Sequence, residues 1–147
     1  MEKRFNLRAY GILKNEKQEV LVSDEFRFGQ RFTKFPGGGL EFGEGLEDCV
    51  VREYEEETGQ EVKVKSHYYT TGFYQQSAFD KREQLISVYY LVELKQGHEI
   101  ETSSKKFDMK DEEGAQSLRW IPLEKLKKEE MTFPVDKVVA EMLAGKS

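Results

Sequence analysis

The chain has 147 residues, which suits a single domain with one hydrophobic core, so we predict that residues 1–147 form one domain. Its net charge of -5 argues against a surface that binds nucleic acid non-specifically or an anionic membrane, because both require an excess of basic residues. The sequence has no apolar run near the ~20 residues that span a bilayer, and Met1 to Asn6 lack the apolar core of a secretory signal, so we expect a cytoplasmic protein with no membrane association.

The N-terminal segment predicts a β-hairpin. Phe5 to Leu13 alternates in the manner of a strand, Asn15 to Lys17 makes a polar turn, and Val20 to Val22 returns as the second strand. Arg27 and Arg31 then flank a predicted loop. Both arginines are candidates for contacts with substrate phosphates, although exposed arginines near a loop usually have no specific role.

Five closely spaced glycines follow. They are Gly37, Gly38, Gly39, Gly43 and Gly45. Because glycine loses more backbone entropy on folding than any other residue, we expect that no helix or strand holds them. Glycine also permits positive φ and a close approach of the backbone to a ligand, as in loops that hold phosphates. A mobile surface loop is the alternative, and glycine content alone favours it.

A short helix is predicted after the glycines, from Leu46 to Thr58. Its apolar residues recur with the i, i+3, i+4, i+8 spacing of a buried stripe. They are Leu46, Cys49, Val50 and Tyr54. Gly45 is a fair N-cap, and Gly59 suits the left-handed residue that ends a helix. Because Cys49 is the single cysteine and lies on the apolar stripe, we expect it to pack in the core and not to act as a reactive thiol.

Three acidic residues, Glu53, Glu56 and Glu57, continue the inward stripe of this helix. Asp48 and Glu55 lie on the opposite, solvated side. Three carboxylates within one turn repel one another, so a positive group is expected among them. Ligands that are all oxygen favour Mg²⁺ or Mn²⁺ over zinc. Such a run by itself is more typical of an ordinary acidic helix surface, but the glycine loop and the inward direction of the glutamates together favour the metal site.

The stretch from Gly38 to Gln60 resembles the Nudix box, which reads Gly, five residues, Glu, seven residues, Arg-Glu, an apolar residue, any residue, Glu-Glu, any residue, Gly and an apolar residue. The matching residues are Gly38, Glu44, Arg52, Glu53, Tyr54, Glu56, Glu57 and Gly59. Tyr54 stands where an aliphatic residue is usual and Gln60 where an apolar one is expected, so we expect adjusted packing with the chemistry retained. Phe35-Pro36-Gly37 is also similar to the family's usual entry to the box.

The resemblance implies an α/β fold, the Nudix-type α/β/α sandwich with a mixed β-sheet, and an enzyme that depends on a divalent metal, Mg²⁺ or Mn²⁺. The metal ligands that it implies are Glu53, Glu56, Glu57 and the carbonyl of Gly37. It also implies that Glu44 and Arg52 hold or orient the site. Dimers are common among similar proteins, so a homodimer stays open.

Strand patterns resume beyond the box. Val62 to Thr71 predicts a strand, and Gln84 to Leu94 is rich in β-branched and aromatic residues, which predicts a central strand of a mixed sheet. The segment from Gln96 to Gln116 is polar and shows little helical or strand periodicity, which predicts a long loop. His67 and His98 have no partner at metal-ligand spacing, so we treat both as ordinary surface or strand residues.

The C-terminal part predicts three short elements. Ser117 to Ile121 is a strand, and Leu123 to Lys128 is a short helix with Pro122 as its first helical residue. The apolar stripe from Val135 to Leu143 predicts a helix that docks on the sheet.

The chemistry that these residues support is hydrolysis of a pyrophosphate, which depends on charge neutralisation and on in-line delivery of water. We expect a pyrophosphohydrolase that cleaves a nucleoside diphosphate linked to another moiety. Glu53 is a candidate general base. Some members of the family use a glutamate from a later loop, for which Glu112 and Glu113 are the candidates here.

Two other functions stay open from the sequence. One is a catalytically silent module that senses a nucleotide on the same fold, and the other is an acidic structural module for a protein partner. Selectivity is expected in the loops Phe73 to Phe79 and Gln96 to Gln116, and the aromatic connection from Gly72 to Ser77 could stack a nucleobase or simply pack over the sheet. The sequence does not identify the substrate.

Overall fold

The computed structural model describes residues 2–97 and 99–145, so the prediction for His98 lies outside the described residues. In chain order the strands are β1 (Arg4–Leu13), β2 (Glu19–Arg27), β3 (Gln30–Lys34), β4 (Gly37–Gly39), β5 (Val62–Thr70), β6 (Glu83–Leu94) and β7 (Ala115–Pro122), and the helices are α1 (Leu46–Thr58) and α2 (Pro134–Leu143). Contacts divide the chain into two compact units, unit 1 (Met1–Leu13 and Pro36–His98) and unit 2 (Lys14–Phe35 and Glu99–Ser147). The single domain over residues 1–147 stays a prediction.

Unit 1 is built on a four-stranded mixed sheet with the strand order β4-β1-β6-β5. β1 runs parallel to β6 and antiparallel to β4, and β5 runs antiparallel to β6. The predicted strand from Gln84 to Leu94 is β6, which lies between two neighbours and is buried from Ser87 to Tyr90. The predicted α/β class, the mixed sheet and the central strand are confirmed.

Helix α1 packs on this sheet through its apolar stripe. Cys49, Val50 and Tyr54 are fully buried, and Gly59 ends the helix with φ 73°, as predicted. The Tyr54 hydroxyl donates a 2.7 Å hydrogen bond to the carbonyl oxygen of Gly11, and burial raises the Tyr54 pKa well above its ordinary value. A tyrosine is therefore accommodated where the pattern has an aliphatic residue, because its polar end has a partner.

Unit 2 contains a three-stranded antiparallel sheet with the strand order β3-β2-β7. The turn between β2 and β3 consists of Phe28 (φ 54°) and Gly29 (φ 73°), and positive φ at both positions matches a two-residue turn to the twist of the strands. Helix α2 begins at Pro134, which needs no hydrogen-bond partner for a backbone N–H at that position. Because α2 buries Val135 and Val139, the predicted C-terminal helix is confirmed.

The predicted hairpin between the first two strands is wrong. β1 pairs with β4 and β6, whereas β2 pairs with β3 and β7, and within the described residues the two segments join only at the isolated bridge between Lys14 and Val20. Alternation in the sequence identifies a strand, but the burial of its faces in the folded chain decides its partner. The predicted loop flanked by Arg27 and Arg31 is a two-residue turn, because Arg27 ends β2 and β3 already begins at Gln30.

Pro122 ends β7 and does not begin a helix. β7 is an edge strand, where the missing N–H of proline is tolerated. In place of the predicted helix from Leu123 to Lys128, the chain forms two separate 3₁₀ turns, Leu123–Lys125 and Lys128–Glu130. No helix in the described part of the chain has the length and apolar character that crossing a membrane requires.

A buried ion pair connects the parts of unit 2. The carboxylate of Asp24 is fully buried and accepts hydrogen bonds from Arg119 Nε at 2.7 Å and Nη2 at 3.1 Å. It also accepts bonds from the Thr33 hydroxyl at 2.7 Å and the Phe107 amide at 3.1 Å. The Asp24 carboxylate therefore joins β2, β3 and β7 to the segment that precedes β7. As predicted, this segment has no helix or strand over residues 96–97 and 99–114.

Candidate active site

The glycines Gly37–Gly39 form the strand β4, which corrects the prediction that no regular element holds them. They pair antiparallel with β1. A side chain on Gly38 would collide with the carboxylate of Glu53, whose Oε1 lies 2.7 Å from the position of a Cβ atom. A side chain on Gly37, where φ is 149°, would overlap the backbone of β1. Glycine is therefore required here for the close approach of a helix carboxylate and a neighbouring strand to β4.

Two of the three predicted carboxylates contact β4. Glu57 Oε2 accepts a 2.9 Å hydrogen bond from the backbone amide of Gly37. The carboxylate of Glu53 lies against Gly38, and this side chain is 14% exposed. Glu56 is 57% exposed. The structure therefore brings Glu53 and Glu57 together with the glycine strand and leaves Glu56 at the solvent edge of the same helix face.

Arg52 connects α1 to β4 and to the loop between them. Its Nε and Nη2 donate to the two carboxylate oxygens of Glu44 at 3.0 Å and 2.7 Å, and Nη2 also donates to the Gly39 carbonyl at 3.0 Å. Glu44 accepts a further bond from the Glu41 amide at 2.9 Å, and Arg52 Nη1 lies 3.4 Å from Glu56. Bidentate pairing fixes direction as well as distance, which is what a positioning role for Glu44 and Arg52 requires.

The charge state of this pair gives a pH prediction. The hydrogen bond from Arg52 lowers the pKa of Glu44 from 4.5 to about 2. A depressed pKa means that the pair's stabilising contribution is complete above pH 4.5 and is lost as the pH falls towards 2. In Arg52→Gln we expect the Glu44 pKa to return towards 4.5, measured by NMR titration of the side-chain carboxyl carbon. An unchanged Glu44 titration in that variant would show that Arg52 does not set the carboxylate's charge.

Cys49 lies beneath the same strand. Its Sγ is 3.6 Å from the Gly38 carbonyl oxygen and 3.5 Å from that of Gly39, and burial raises its pKa to about 12. The thiol therefore stays protonated at neutral pH and packs against β4. The prediction of a buried, unreactive cysteine agrees with this environment.

The remaining candidates lie on the hairpin and loop of unit 2. Glu113 accepts two hydrogen bonds from the Phe28 amide, at 2.8 Å and 2.9 Å. Arg31 Nε lies 2.7 Å from Asp111 Oδ1, and this hydrogen bond raises the Arg31 pKa. The Arg27 guanidinium lies 5.6 Å from the ring centroid of Phe28. These contacts give Glu113, Arg27 and Arg31 a local role in the hairpin; Glu112 is exposed.

Nearly the whole chain matches one protein family. The model described as "NUDIX domain" matches residues 4–142. The chain belongs to the Nudix family. The expectation drawn from the box residues is confirmed, and this Nudix protein is a member of a family of pyrophosphohydrolases.

This Nudix protein is similar to proteins of three organisms. An ADP-ribose pyrophosphatase of Methanocaldococcus jannaschii is 27% identical over 137 residues, which cover 93% of this chain and 72% of the relative. An 8-oxo-dGTP diphosphatase of Escherichia coli K12 is 42% identical over 53 residues, which cover 35% of this chain and 41% of the relative. The crystal structure of a MutT protein from Methanosarcina mazei Go1 has a TM-score of 0.72 and 19% identity, covering 99% of this chain and 97% of that chain. The shared fold is that of the Nudix proteins.

Nudix hydrolases generally require a divalent metal ion, for which carboxylate and carbonyl oxygens are suitable ligands. Across residues 2–97 and 99–145, no three Asp, Glu, His or Cys side chains converge into a complete ligand group. Glu53 and Glu57 nevertheless both present carboxylates at β4. Mg²⁺ usually takes one or two protein carboxylates and completes its shell with water and substrate phosphates, so an incomplete group of oxygen donors fits a hard cation.

Proposed function

We propose that this Nudix protein is a divalent-metal-dependent hydrolase that cleaves the pyrophosphate bond of a nucleoside diphosphate linked to another moiety, giving a nucleoside monophosphate and a phosphorylated remainder. The observation that carries this proposal is the placement of Glu53 and Glu57 against β4, beside the Arg52–Glu44 pair. Because the relative from Methanocaldococcus jannaschii is named an ADP-ribose pyrophosphatase, ADP-ribose is the first substrate to test.

The residues that would hold the ion are Glu53, Glu56, Glu57 and the carbonyl of Gly37. Mg²⁺ and Mn²⁺ suit these oxygen donors better than zinc does. When bound, such an ion neutralises charge on the phosphate oxygens and makes water a better nucleophile. Glu56, which is 57% exposed, contributes from the solvent side of the group.

Glu53 is the residue that we assign as general base. Its side chain is 14% exposed, and its carboxylate lies 3.8 Å from Arg52 Nη1 and against Gly38 of β4. It accepts a proton from the attacking water while the new O–P bond forms and the bond from that phosphorus to the leaving phosphate oxygen breaks. Glu113 is less suited to this task, because both of its oxygens accept the Phe28 amide.

Arg52 and Glu44 act as positioning residues in this mechanism. Arg52 bonds Glu44 and the Gly39 carbonyl at the same time, so it holds α1, β4 and the loop between them in one arrangement. In-line attack tolerates little displacement of the water from the line of the breaking bond. The pair therefore serves the reaction by keeping the carboxylates of α1 at a fixed place relative to β4.

A substrate panel tests the proposal. Purified protein is incubated with ADP-ribose, nucleotide sugars, dinucleotide polyphosphates, dinucleotide cofactors and nucleoside triphosphates, each with Mg²⁺, with Mn²⁺ and with EDTA. We expect phosphorylated products from at least one of these compounds with a metal and none with the chelator, measured by chromatography. Binding of ADP-ribose by calorimetry with no turnover under either metal would instead favour the silent sensing module.

A further inference from the structure

The two faces of the β1–β4 pair carry different side chains. Successive residues of a strand point to opposite faces of the sheet. Gly38 and Gly11 face α1, because a side chain at either position would meet Glu53 or Tyr54 of that helix. Arg8 is three residues before Gly11 along β1 and therefore lies on the face turned away from α1, where it is paired in register with Gly39.

Gly39 leaves an open niche on that face. A Cβ atom at this position would lie 3.7 Å from Arg8 Nη1 and 3.9 Å from Asn6 Oδ1. Apart from the chain neighbours of Gly39, no other heavy atom of the residues that the structure describes comes within 4 Å of that point. Arg8 and Asn6 are both partly exposed. The niche therefore offers two polar groups to one small space.

The donor and acceptor roles in the niche are fixed by the surrounding contacts. Asn6 Nδ2 donates to Glu83 Oε1 at 3.0 Å, so the amide oxygen of Asn6 is the atom that faces the niche as an acceptor. Arg8 has only donors. Its guanidinium is held by the Tyr10 hydroxyl, which accepts from Nε at 2.6 Å, and lies 5.7 Å from the centroid of the same ring. A ligand that fits must therefore present an acceptor beside a donor.

We propose that Arg8 and Asn6 recognise the adenine of the substrate, with Arg8 donating to N7 and Asn6 Oδ1 accepting from the N6 amino group. The inference rests on the proposed function and names the base that the site selects. Adenine presents an acceptor and a donor side by side at this edge, whereas guanine presents two acceptors, N7 and O6. Arginine alone suits guanine equally well, so Asn6 decides the choice. An anionic phosphate oxygen is disfavoured by the same amide oxygen.

The niche at Gly39 is placed to receive the base of a nucleotide whose diphosphate lies beside the carboxylates of Glu53 and Glu57. β4 is an edge strand of the sheet in unit 1, with Glu53 and Glu57 touching it on the α1 side. Gly39 is the residue next to Gly38, on the opposite face. A nucleoside joined to the diphosphate through one ribose can therefore pass around the edge of β4 and place its base over Gly39.

The test combines protein variants with matched substrates. With ADP-ribose, Arg8→Met is expected to lower kcat/KM by about tenfold to a hundredfold, the effect of losing one hydrogen bond from a charged group. With the unaltered protein, the 7-deaza analogue of ADP-ribose, which lacks the N7 acceptor, should have a kcat/KM lower than that of ADP-ribose by a similar factor. With this analogue, Arg8→Met should lower kcat/KM little further. Asn6→Leu should raise the use of the guanosine analogue relative to ADP-ribose. Arg82→Gln, at a half-exposed arginine paired with Asp80 in the same unit, is the control and should change neither ratio.

The proposal would be overturned if the effect of Arg8→Met did not depend on the N7 atom of the substrate. If Arg8→Met lowers kcat/KM by the same factor for ADP-ribose and for its 7-deaza analogue, Arg8 does not contact N7. Should the protein hydrolyse no nucleotide, NMR titration with adenosine and 7-deazaadenosine still examines the niche, since neither carries phosphate. The proposal predicts that adenosine changes the chemical shift of the Gly39 amide more than 7-deazaadenosine does, and that this difference disappears in Arg8→Met. Equal chemical-shift changes with both nucleosides would refute it.

Discussion

Glu57→Gln is expected to lower kcat/KM for the proposed metal-dependent hydrolysis by roughly a hundredfold to a thousandfold, the size typical of losing one preorganised charged group. Glutamine retains an oxygen that accepts the 2.9 Å hydrogen bond from the Gly37 amide, so the contact between α1 and β4 survives. It removes the negative charge on which binding of a hard divalent cation depends. Steady-state kinetics with Mg²⁺ measures the loss, and a melting temperature that does not fall shows that the fold is intact.

Glu55→Gln is the matched control for this change. Glu55 lies on the exposed side of the same helix, so the substitution alters the net charge equally without touching β4. We expect it to keep the activity of the unaltered protein. Full activity in Glu57→Gln, or an equal loss in both variants, would contradict the placement of the catalytic centre at Glu53 and Glu57.

Asp24→Ala is expected to destabilise the protein by about 3–5 kcal/mol, because the buried guanidinium of Arg119 loses both hydrogen bonds to Asp24 and keeps Glu130 at 3.9 Å as an ion-pair partner. It also removes the acceptor of the Thr33 hydroxyl and the Phe107 amide. For a chain of this size that loss corresponds to a fall in melting temperature of roughly 10 °C. Urea unfolding followed by circular dichroism measures the change in the free energy of unfolding.

Asp111→Ala removes a carboxylate from an ion pair of equal length in the same unit. Arg31 and Asp111 are 2.7 Å apart but both side chains are 50% exposed, so we expect a change of about 0–1 kcal/mol. The contrast isolates burial as the cause, since both substitutions delete one aspartate paired with an arginine. A loss in Asp24→Ala as small as that in Asp111→Ala would show that the buried pair contributes nothing beyond an ordinary surface contact.

Local pattern was enough to predict α1 and its carboxylate face. The apolar stripe, the cap residues and the run of glutamates all lie within thirteen consecutive residues, so one helical period relates them. The inward direction of Glu53 and Glu57 follows from that period alone. Glu56 was predicted on the same face, and the structure places it at the solvent edge, where its side chain is 57% exposed.

The glycine segment shows where local reasoning fails. Its composition argues against a strand, because glycine weakens strands by its entropy. The structure forms β4 because β1 supplies backbone partners and the Glu53 carboxylate occupies the space of a Gly38 side chain. Both partners are distant in sequence, so composition could not reveal them. For the same reason the sequence did not single out Arg8 and Asn6, although the alternation of β1 already placed them on one face.

The sequence by itself determined the family, helix α1 with its row of glutamates, and most of the strand positions. These features depend on the spacing of residues within a single segment. Tertiary structure decided the partner of each strand, the contact between Gly37–Gly39 and the helix carboxylates, and the buried Asp24–Arg119 pair. These features join residues that are far apart along the chain, and their energies depend on burial and on distances that exist only once the chain has folded.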